Sequence, residues 1–171
     1  DYSSTNVQVA GVDEADIVKN DGEYLYILRE GEFVVVRAVP PGDAEVVGRA
    51  AVEGWPRALF LAGDRLVVFT VETEDDLVTP EGSAAPVPVH REVTSAEIWS
   101  VEDRANPRLI DNVTVTGAYE GARLIGGEVW LLTSERPTPP VYPLPAVDGV
   151  RPSLYTPPVP QDYYTFHTLA S

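Results

Sequence analysis

Hydrophobic and polar positions alternate in short runs along the chain, and turn residues separate one run from the next. Three stretches, at 15–28, 57–69 and 121–132, share one arrangement. Each has an apolar run, a tight turn of Gly or Asp, and a second run rich in β-branched and aromatic residues. No stretch holds the 3.6-residue period of an amphipathic helix. The pattern therefore predicts an all-β chain built from repeated antiparallel hairpins.

The spacing of the hairpin turns indicates the size of the repeating unit. The interval from Gly22 to Asp64 falls within the roughly 40 to 50 residues of a four-stranded β-propeller blade. The interval from Asp64 to Gly127 is longer by about 20 residues, which is room for one blade and one inserted loop. We therefore predict four-stranded antiparallel blades, about two and three-quarters of them, in an incomplete disc.

The whole chain is predicted to be one partial β-propeller domain, 1–171. Strand patterns and Gly/Pro turns divide it into blades. The predicted parts are blade one at 15–52, blade two at 57–116 with an inserted loop at 73–94, and a partial blade three at 121–170 with an inserted proline-rich loop at 136–162.

The two insertions occupy the same topological position, between the second and third strands of their blades. In an up-and-down blade these connections and the links between blades lie on one face of the disc, and the tight hairpin turns lie on the other. The entry segment 9–14 is assigned to the same face as the insertions. Loops on a rigid scaffold are where binding residues concentrate. We therefore predict that this long-loop face is the binding face.

Aromatic residues predicted on the long-loop face are the candidate ligand-binding residues. Flat rings offer a large apolar contact at low entropy cost, which suits a sugar or a peptide. The same rings can instead anchor loops to the disc, and packing is the favoured role for Trp55, which precedes Pro56. The candidates are Trp55, Tyr119, Tyr142 and Tyr155.

Acidic residues near the start of the chain supply the oxygen ligands that calcium prefers. The candidate ligands are Asp13, Glu14 and Asp16. Their spacing does not match an EF-hand loop, and the favoured role for such residues is to cap turns or to bond neighbouring backbone amides. A calcium site is the minority hypothesis, and no other cofactor is predicted.

Composition excludes several classes of function. The chain has 27 acidic and 12 basic residues and a formal net charge of −15, so a nucleic-acid backbone would be repelled. It has no cysteine, which excludes disulfides and thiolate chemistry. The sequence has no apolar run of about 18 residues, which is the length that would predict a membrane-spanning helix. The absence of methionine predicts a mature product or a piece of a longer polypeptide.

No catalytic motif is recognisable in the sequence. His90 and His167 have no spaced partners for a zinc site or a nucleophile. A nucleophile elbow, a phosphate loop and a dinucleotide fingerprint are all missing. Among so many carboxylates, a pair ~5–9 Å apart, as in glycosidases, can still arise by chance. An enzyme is therefore the minority interpretation.

The opening residues, 1–22, resemble the start of secreted proteins that carry a C-terminal β-propeller domain distantly related to WD repeats. The hairpins at 62–68 and 122–127 are similar to that family's blades, and 101–107 is similar to a turn of LVIVD-type repeats. The resemblance implies a bacterial or archaeal extracytoplasmic propeller without an assigned activity, so no functional residue is carried over. It also implies that the remaining blades belong to the parent protein or to another chain.

These observations together predict an extracytoplasmic interaction module that binds a protein, peptide or glycan through its long-loop face. Two alternatives stay open from the sequence. One is a hydrolase that acts on an extracellular polymer through carboxylates on the same face. The other is a structural component of the cell surface.

Overall fold

The computed structural model describes residues 12–79, 85–135, 142–143, 154–155 and 163–169. In these residues the structure is all-β, with three four-stranded antiparallel sheets and one pair of two-residue strands. In chain order the strands are β1 (Val12–Glu14), β2 (Val18–Asn20), β3 (Tyr24–Arg29), β4 (Glu32–Arg37), β5 (Glu45–Ala51), β6 (Trp55–Ala62), β7 (Arg65–Val78), β8 (Val87–Ser100), β9 (Arg108–Thr116), β10 (Ala118–Ile125), β11 (Glu128–Glu135), β12 (Tyr142–Pro143), β13 (Leu154–Tyr155) and β14 (Tyr163–Leu169).

The first two sheets have the strand order expected of up-and-down blades. The first sheet runs β2-β3-β4-β5 and the second runs β6-β7-β8-β9, with every neighbouring pair antiparallel. A short 3₁₀ turn at Pro41–Asp43 joins β4 to β5. The two-residue turn between β6 and β7 contains Gly63 at φ 58°, a left-handed conformation that glycine adopts without steric cost. The predicted all-β fold of four-stranded antiparallel sheets is confirmed.

The third sheet takes its fourth strand from the start of the chain. Its order is β1-β10-β11-β14, and β1 pairs with β10 so that Val12 lies opposite Ile125. Ile125 directly precedes the hairpin turn of this sheet, so β1 enters from the short-turn side. The assignment of the entry segment 9–14 to the long-loop face is therefore wrong for its described residues. The physical reason is that the free edge of β10 offers unpaired backbone groups, which a neighbouring extended segment satisfies.

The residues that follow β1 connect all three sheets. Asp16 forms an isolated antiparallel bridge with Leu59 of the second sheet, with N–O distances of 3.2 and 2.7 Å. The chain then enters the first sheet, where the backbone carbonyl of Ile17 accepts a hydrogen bond from the N–H of Leu28 at 2.9 Å. The segment 12–20 is thus paired with one sheet after another, and β2 begins at Val18 rather than at 15 as predicted.

Two hydrophobic cores lie between the sheets, and the second sheet contributes to both. The first core joins the first and second sheets, where Phe33 packs edge-on against Trp99 with ring centroids 5.2 Å apart. The second core joins the second and third sheets, and within it Phe60 and Phe69 of the second sheet pack edge-on with ring centroids 5.9 Å apart. Alternation along each strand places successive side chains in different cores, which is why the second sheet is apolar on both faces.

The first predicted insertion, 73–94, is a β-ribbon in its described residues. Strands β7 and β8 stay paired from Thr73 opposite Glu92 as far as Val78 opposite Val87. Beyond the ends of β6 and β9 this ribbon has only two strands, so each strand has a free edge. Pro88 lies opposite Leu77 in the ribbon, and a strand without a further neighbour tolerates the missing N–H of proline. We call residues 72–78 and 87–92 the arm.

The second predicted insertion, 136–162, lies mostly outside the described residues. It connects β11 to β14, which are adjacent and antiparallel in the third sheet. Within it the structure describes β12 and β13, which pair with each other.

Candidate binding face

The roots of both insertions meet at Gly117, in the link between the second and third sheets. The N–H of Gly117 donates to the carbonyl of Glu92 at 2.8 Å, and its carbonyl accepts from the hydroxyl of Thr94 at 2.7 Å. Both residues lie at the root of the arm. A Cβ added at Gly117 would lie 2.9 Å from the carbonyl oxygen of Ser134, near the end of β11. The arm and the proline-rich insertion therefore leave the same face, as predicted.

An apolar pocket of about 350 Å³ opens on this long-loop face, between the first and second sheets. Trp55 is its largest side chain and is 64 % exposed. The pocket also includes the tight turn between β3 and β4, which is the equivalent of the two insertions in the first sheet. We call it the Trp55 pocket, and its lining residues are Ile17, Leu28, Arg29, Glu30, Trp55 and Pro56.

Trp55 is held in place by the link that precedes it. It begins β6 and pairs with Val71. A Cβ at the neighbouring Gly54 would lie 2.5 Å from Cγ of Glu72, so this close approach to the arm requires glycine. Trp55 was favoured for packing in the sequence, whereas most of its side chain faces solvent. A role in ligand binding stays a prediction.

A buried carboxylate anchors the same link. Oε1 of Glu97 accepts the N–H of Glu53 at 3.0 Å, and Oε2 accepts the indole N–H of Trp99 at 2.9 Å. Glu97 is only 3 % exposed. Burial raises the pKa of Glu97, the two hydrogen bonds lower it, and nearby Glu53 and Glu72 raise it further, with a net increase. Nothing in the sequence pattern marked Glu97, because it is one acidic residue among many.

Tyr119 lies in β10 and packs against the second core. Its ring centroid is 5.5 Å from that of Phe69, with the planes tilted by 35°. Burial raises the pKa of Tyr119 to about 12. The ring is therefore engaged in packing between the second and third sheets, which is the alternative role that the sequence left open. Ligand binding by Tyr119 stays a prediction.

The two tyrosines of the proline-rich insertion are brought together by backbone pairing. Tyr142 and Tyr155 are direct register partners across β12 and β13. They are separated by a dozen residues in the sequence, and their spacing gave no sign of this pairing. Their role in ligand binding stays a prediction.

Each of the three predicted calcium ligands has a different hydrogen-bond or ion-pair partner within the chain. Asp13 accepts from Nζ of Lys19 at 2.8 Å, and Glu14 lies 2.9 Å from Nη2 of Arg123. Asp16 accepts the backbone N–H of Ile17 at 2.7 Å. Within the described ranges, no group of three or more His, Asp or Glu residues is arranged to hold a metal ion. A calcium site at these carboxylates stays a prediction.

Lys19, the single lysine of the chain, is a structural residue that the sequence reasoning missed. It is 5 % exposed, and its Nζ donates to Oδ1 of Asp13 and to the backbone carbonyl of Glu14. The ammonium group also lies 5.7 Å from the ring centroid of Phe60. It thus joins β1 to β2 beside the second core. A lone lysine among many arginines was the available signal.

A comparison with known protein families agrees with this architecture. The family model described as a beta propeller domain matches residues 2–160. The chain belongs to the beta propeller domain family. The three sheets are therefore propeller blades in an incomplete disc, as the repeat spacing predicted. No solved structure matches the chain significantly.

Two relatives of this propeller domain are archaeal proteins without an assigned function. An uncharacterised protein of Archaeoglobus fulgidus is 30% identical over 146 residues, covering 77% of this chain and 19% of that protein. An uncharacterised protein of Methanocaldococcus jannaschii is 26% identical over 131 residues, covering 77% of this chain and 17% of that protein. The chain thus spans less than a fifth of the length of these relatives.

Arg104 links two blades of the propeller on the short-turn side. Nη1 donates to Oδ1 of Asp64 at 2.6 Å and Nη2 to Oδ2 of Asp21 at 3.3 Å, so one guanidinium joins hairpin turns of neighbouring blades. The pKa of Asp21 is lowered: burial raises it, but hydrogen bonds from the backbone of Tyr24 and Glu23, and then from Tyr26 and Arg104, outweigh burial. The turn 101–107, which carried the resemblance to LVIVD repeats, therefore has a structural role.

Other sequence candidates occupy surface or packing positions in the propeller. His90 lies on the arm, with Nδ1 2.6 Å from Oδ1 of Asp75, and His167 lies 3.1 Å from the hydroxyl of Thr133. Trp99 is a core residue, whereas Trp130 is 39 % exposed. None of the described residues form a helix long and apolar enough to cross a membrane.

Proposed function

We propose that this propeller domain is an extracytoplasmic interaction module that binds a protein, peptide or glycan through its long-loop face. The observation that carries the proposal is the meeting of the two insertion roots at Gly117. Two long connections leave one face of a rigid scaffold that has two hydrophobic cores, whereas the opposite face has tight turns. Binding surfaces concentrate on such connections. The extracytoplasmic location rests on the resemblance of the opening residues to secreted proteins.

A second part of the proposal concerns the two ends of the row of blades. On the third sheet, Trp130 and Ile125 are 39 % and 44 % exposed on the face away from the second core. On the first sheet, Val18 and Val46 are 36 % and 51 % exposed on the face away from the first core. Each end therefore presents an apolar sheet face, which isolated soluble domains rarely leave uncovered.

The repeat itself indicates what covers the face of the third sheet. Trp130 and Leu132 hold the places in β11 that Val67 and Phe69 hold in β7, counted from the start of each strand. Val67 and Phe69 pack against the next sheet along the chain. We therefore assign a further four-stranded sheet of the same repeat, from the parent protein or from another chain, as the occupant of this face.

The hydrolase alternative has less support from the described residues. Glu97 is the described carboxyl group with a raised pKa, as a general acid requires. However, it is buried and both of its oxygens already accept hydrogen bonds from the chain. Its contacts anchor a link between blades instead of presenting an acid to a substrate.

The test of the proposed function compares binding by the intact domain and by a variant that lacks 138–161. Both are applied to an array of immobilised short peptides that contain no proline and to an array of oligosaccharides. We expect the intact domain to bind members of one array, and the deletion to remove that binding. Circular dichroism melting of both proteins shows whether the deletion leaves the three sheets folded.

Gly42→Ala is the matched control, because it alters the opposite side of the domain. Gly42 lies in the 3₁₀ turn, and a Cβ there meets nothing within 4 Å. This variant should bind like the intact domain. Binding that persists without 138–161 contradicts the proposal. Release of products from a soluble polysaccharide, abolished by replacing a single carboxylate, favours the hydrolase instead.

A further inference from the structure

We propose that the Trp55 pocket binds an uncharged, proline-rich peptide segment in the extended polyproline conformation. This inference rests on the proposed function and names the ligand class for one part of the long-loop face. The pocket is separate from both insertions, since its walls come from the first sheet, from Ile17 and from the start of β6. It is therefore available to a segment that reaches the face from outside the pocket.

The shape and exposure of the pocket favour an apolar ligand of modest size. Trp55 and Ile17 are 64 % and 58 % exposed, which is unusual for such large apolar side chains lying side by side. Leu28 closes the pocket from below, since it is 8 % exposed and belongs to the first core. The volume of about 350 Å³ falls at the lower end of the range for ligand sites.

The charges at the pocket favour a neutral ligand. Arg29 and Glu30 are its two charged residues, and their charges cancel. The domain as a whole has a formal net charge of −15, so the lining of the pocket is neutral within an acidic protein. An acidic peptide would be repelled by the surroundings, and a basic peptide would find stronger partners elsewhere on the surface.

Proline fits this environment better than other apolar residues. A polyproline helix has no internal hydrogen bonds and keeps its backbone hydrated, so it can lie on a surface without losing backbone partners. It is also rigid before binding, which reduces the entropy lost on association. Aromatic-lined grooves recognise such segments through their flat proline rings. Trp55 followed by Pro56 provides an aromatic and a rigid apolar surface of this kind.

A sugar is the competing ligand for an exposed tryptophan, and the polar lining argues against it. A bound sugar needs hydrogen-bond partners for its hydroxyl groups, and each buried hydroxyl without one weakens binding. Arg29 and Glu30 are the polar side chains of the pocket, and Arg29 lies 3.7 Å from Glu32. Apart from the indole N–H of Trp55, the remaining lining residues offer apolar side chains.

The chain contains segments of the proposed ligand class. More than half of its 16 prolines lie in 136–162, and the stretch 155–161 has no charged residue. The insertion that contains this stretch leaves the same face as the Trp55 pocket. A synthetic peptide with the sequence of 155–161, capped at both ends to remove its terminal charges, is therefore a suitable probe.

The experiment titrates this capped peptide into the intact domain and follows binding by isothermal titration calorimetry and by tryptophan emission. We expect saturable binding, at least tenfold weaker in Trp55→Ala and largely retained in Trp55→Phe. Trp130→Ala is the matched control, because Trp130 is the other exposed tryptophan and lies on the third sheet. A second control peptide has alanine in place of each proline, and it should bind at least tenfold more weakly.

Three results overturn the inference. They are the absence of peptide binding to the intact domain, equal binding by Trp55→Ala and the intact domain, and equal binding of the alanine peptide. Binding of an oligosaccharide that depends on Trp55 overturns it as well and assigns the pocket to sugars. In each case the proposed function is judged separately by the deletion of 138–161, so failure of the pocket assignment leaves that test intact.

Discussion

Arg104 reaches across the boundary between two blades to Asp21, with Nη2 3.3 Å from Oδ2. The same guanidinium is bonded to Asp64 of its own sheet and to the backbone carbonyl of Val101. It also lies 5.7 Å from the ring centroid of Tyr24 in the first sheet. One side chain thus joins two hairpin turns and the turn that follows β8. Its partners are spread over both sheets that enclose the first core.

Replacing Arg104 by alanine should destabilise the domain. The change removes several charge-assisted hydrogen bonds, and we expect a loss of about 1–2 kcal/mol in the free energy of unfolding, because the site is partly exposed. Arg104→Lys should recover only part of this, since an ammonium group cannot bond two carboxylates with the fork geometry of a guanidinium. Urea denaturation followed by circular dichroism measures both effects.

Arg91→Ala is the control for charge alone. Arg91 lies 3.8 Å from Asp76 on the exposed arm, and such a pair contributes ~0–1 kcal/mol. The structural role of Arg104 is contradicted if the two alanine variants have the same stability.

Gly48→Ala tests the contact between the same turn and the first sheet. A Cβ at Gly48 would lie 2.0 Å from the backbone carbonyl oxygen of Arg104, so β5 and the turn have to move apart. Overpacking of this kind costs about 1–3 kcal/mol, which should appear as a lower melting temperature. Gly42→Ala, with nothing within 4 Å of the added Cβ, should melt like the original protein. Equal melting temperatures for the two variants would contradict the close approach.

Lys19→Met should weaken the attachment of β1 to the rest of the domain. The substitution keeps most of the length of the side chain but removes the cation that holds Asp13 and the carbonyl of Glu14. Asp13 is partly exposed, so we expect a cost of about 1–3 kcal/mol, below that of a fully buried pair. Hydrogen exchange at Val12–Glu14 should accelerate more than exchange in the first sheet.

Arg123→Ala is the variant to compare with Lys19→Met, because it also acts on β1. It removes the exposed ion pair between Glu14 and Arg123, which joins the same two strands. An exposed pair contributes little, so exchange at Val12–Glu14 should change less than in Lys19→Met. A larger effect of Arg123→Ala would show that the buried Lys19 is not the main side chain that holds β1 in place.

The domain should lose stability between about pH 10 and pH 12. Burial and then the hydrogen bond to Asp21 raise the pKa of Tyr26 to about 12, from an ordinary value of 10.0. In this range the unfolded chain releases the phenol proton and the folded domain keeps it, so alkali favours unfolding. The stability contributed by Tyr26 is complete below pH 10 and is lost as the pH rises through 12.

Urea denaturation at pH 9 and pH 11 measures this loss, and Tyr26→Phe should show a smaller difference between the two. Absorbance titration of the folded domain at 295 nm should show late ionisation of Tyr26 and Tyr119, whose pKa is also about 12. Ionisation of all the tyrosines near pH 10 would contradict the burial of both phenols.

Local pattern in the sequence was sufficient to identify the hairpins and the family. The Gly/Asp turns and the alternating strands define β2–β3, β6–β7 and β10–β11 within a few residues, because a hairpin depends on neighbours in the chain. Spacing then indicated four-stranded blades, and it placed both insertions at equivalent positions. The arm was predicted as a loop, since Pro86 and Pro88 hide the strand character of its second half.

The tertiary structure decided everything that depends on residues far apart in the sequence. The pairing of β1 with β10, the reach of Arg104 to Asp21 and the burial of Lys19 have no local signature. The Trp55 pocket likewise combines residues from three separate segments. Composition and alternation determine which strands form, because those choices are made between adjacent residues. Which free edges and charges meet is set only when the sheets pack, because packing brings together groups that no short-range pattern relates.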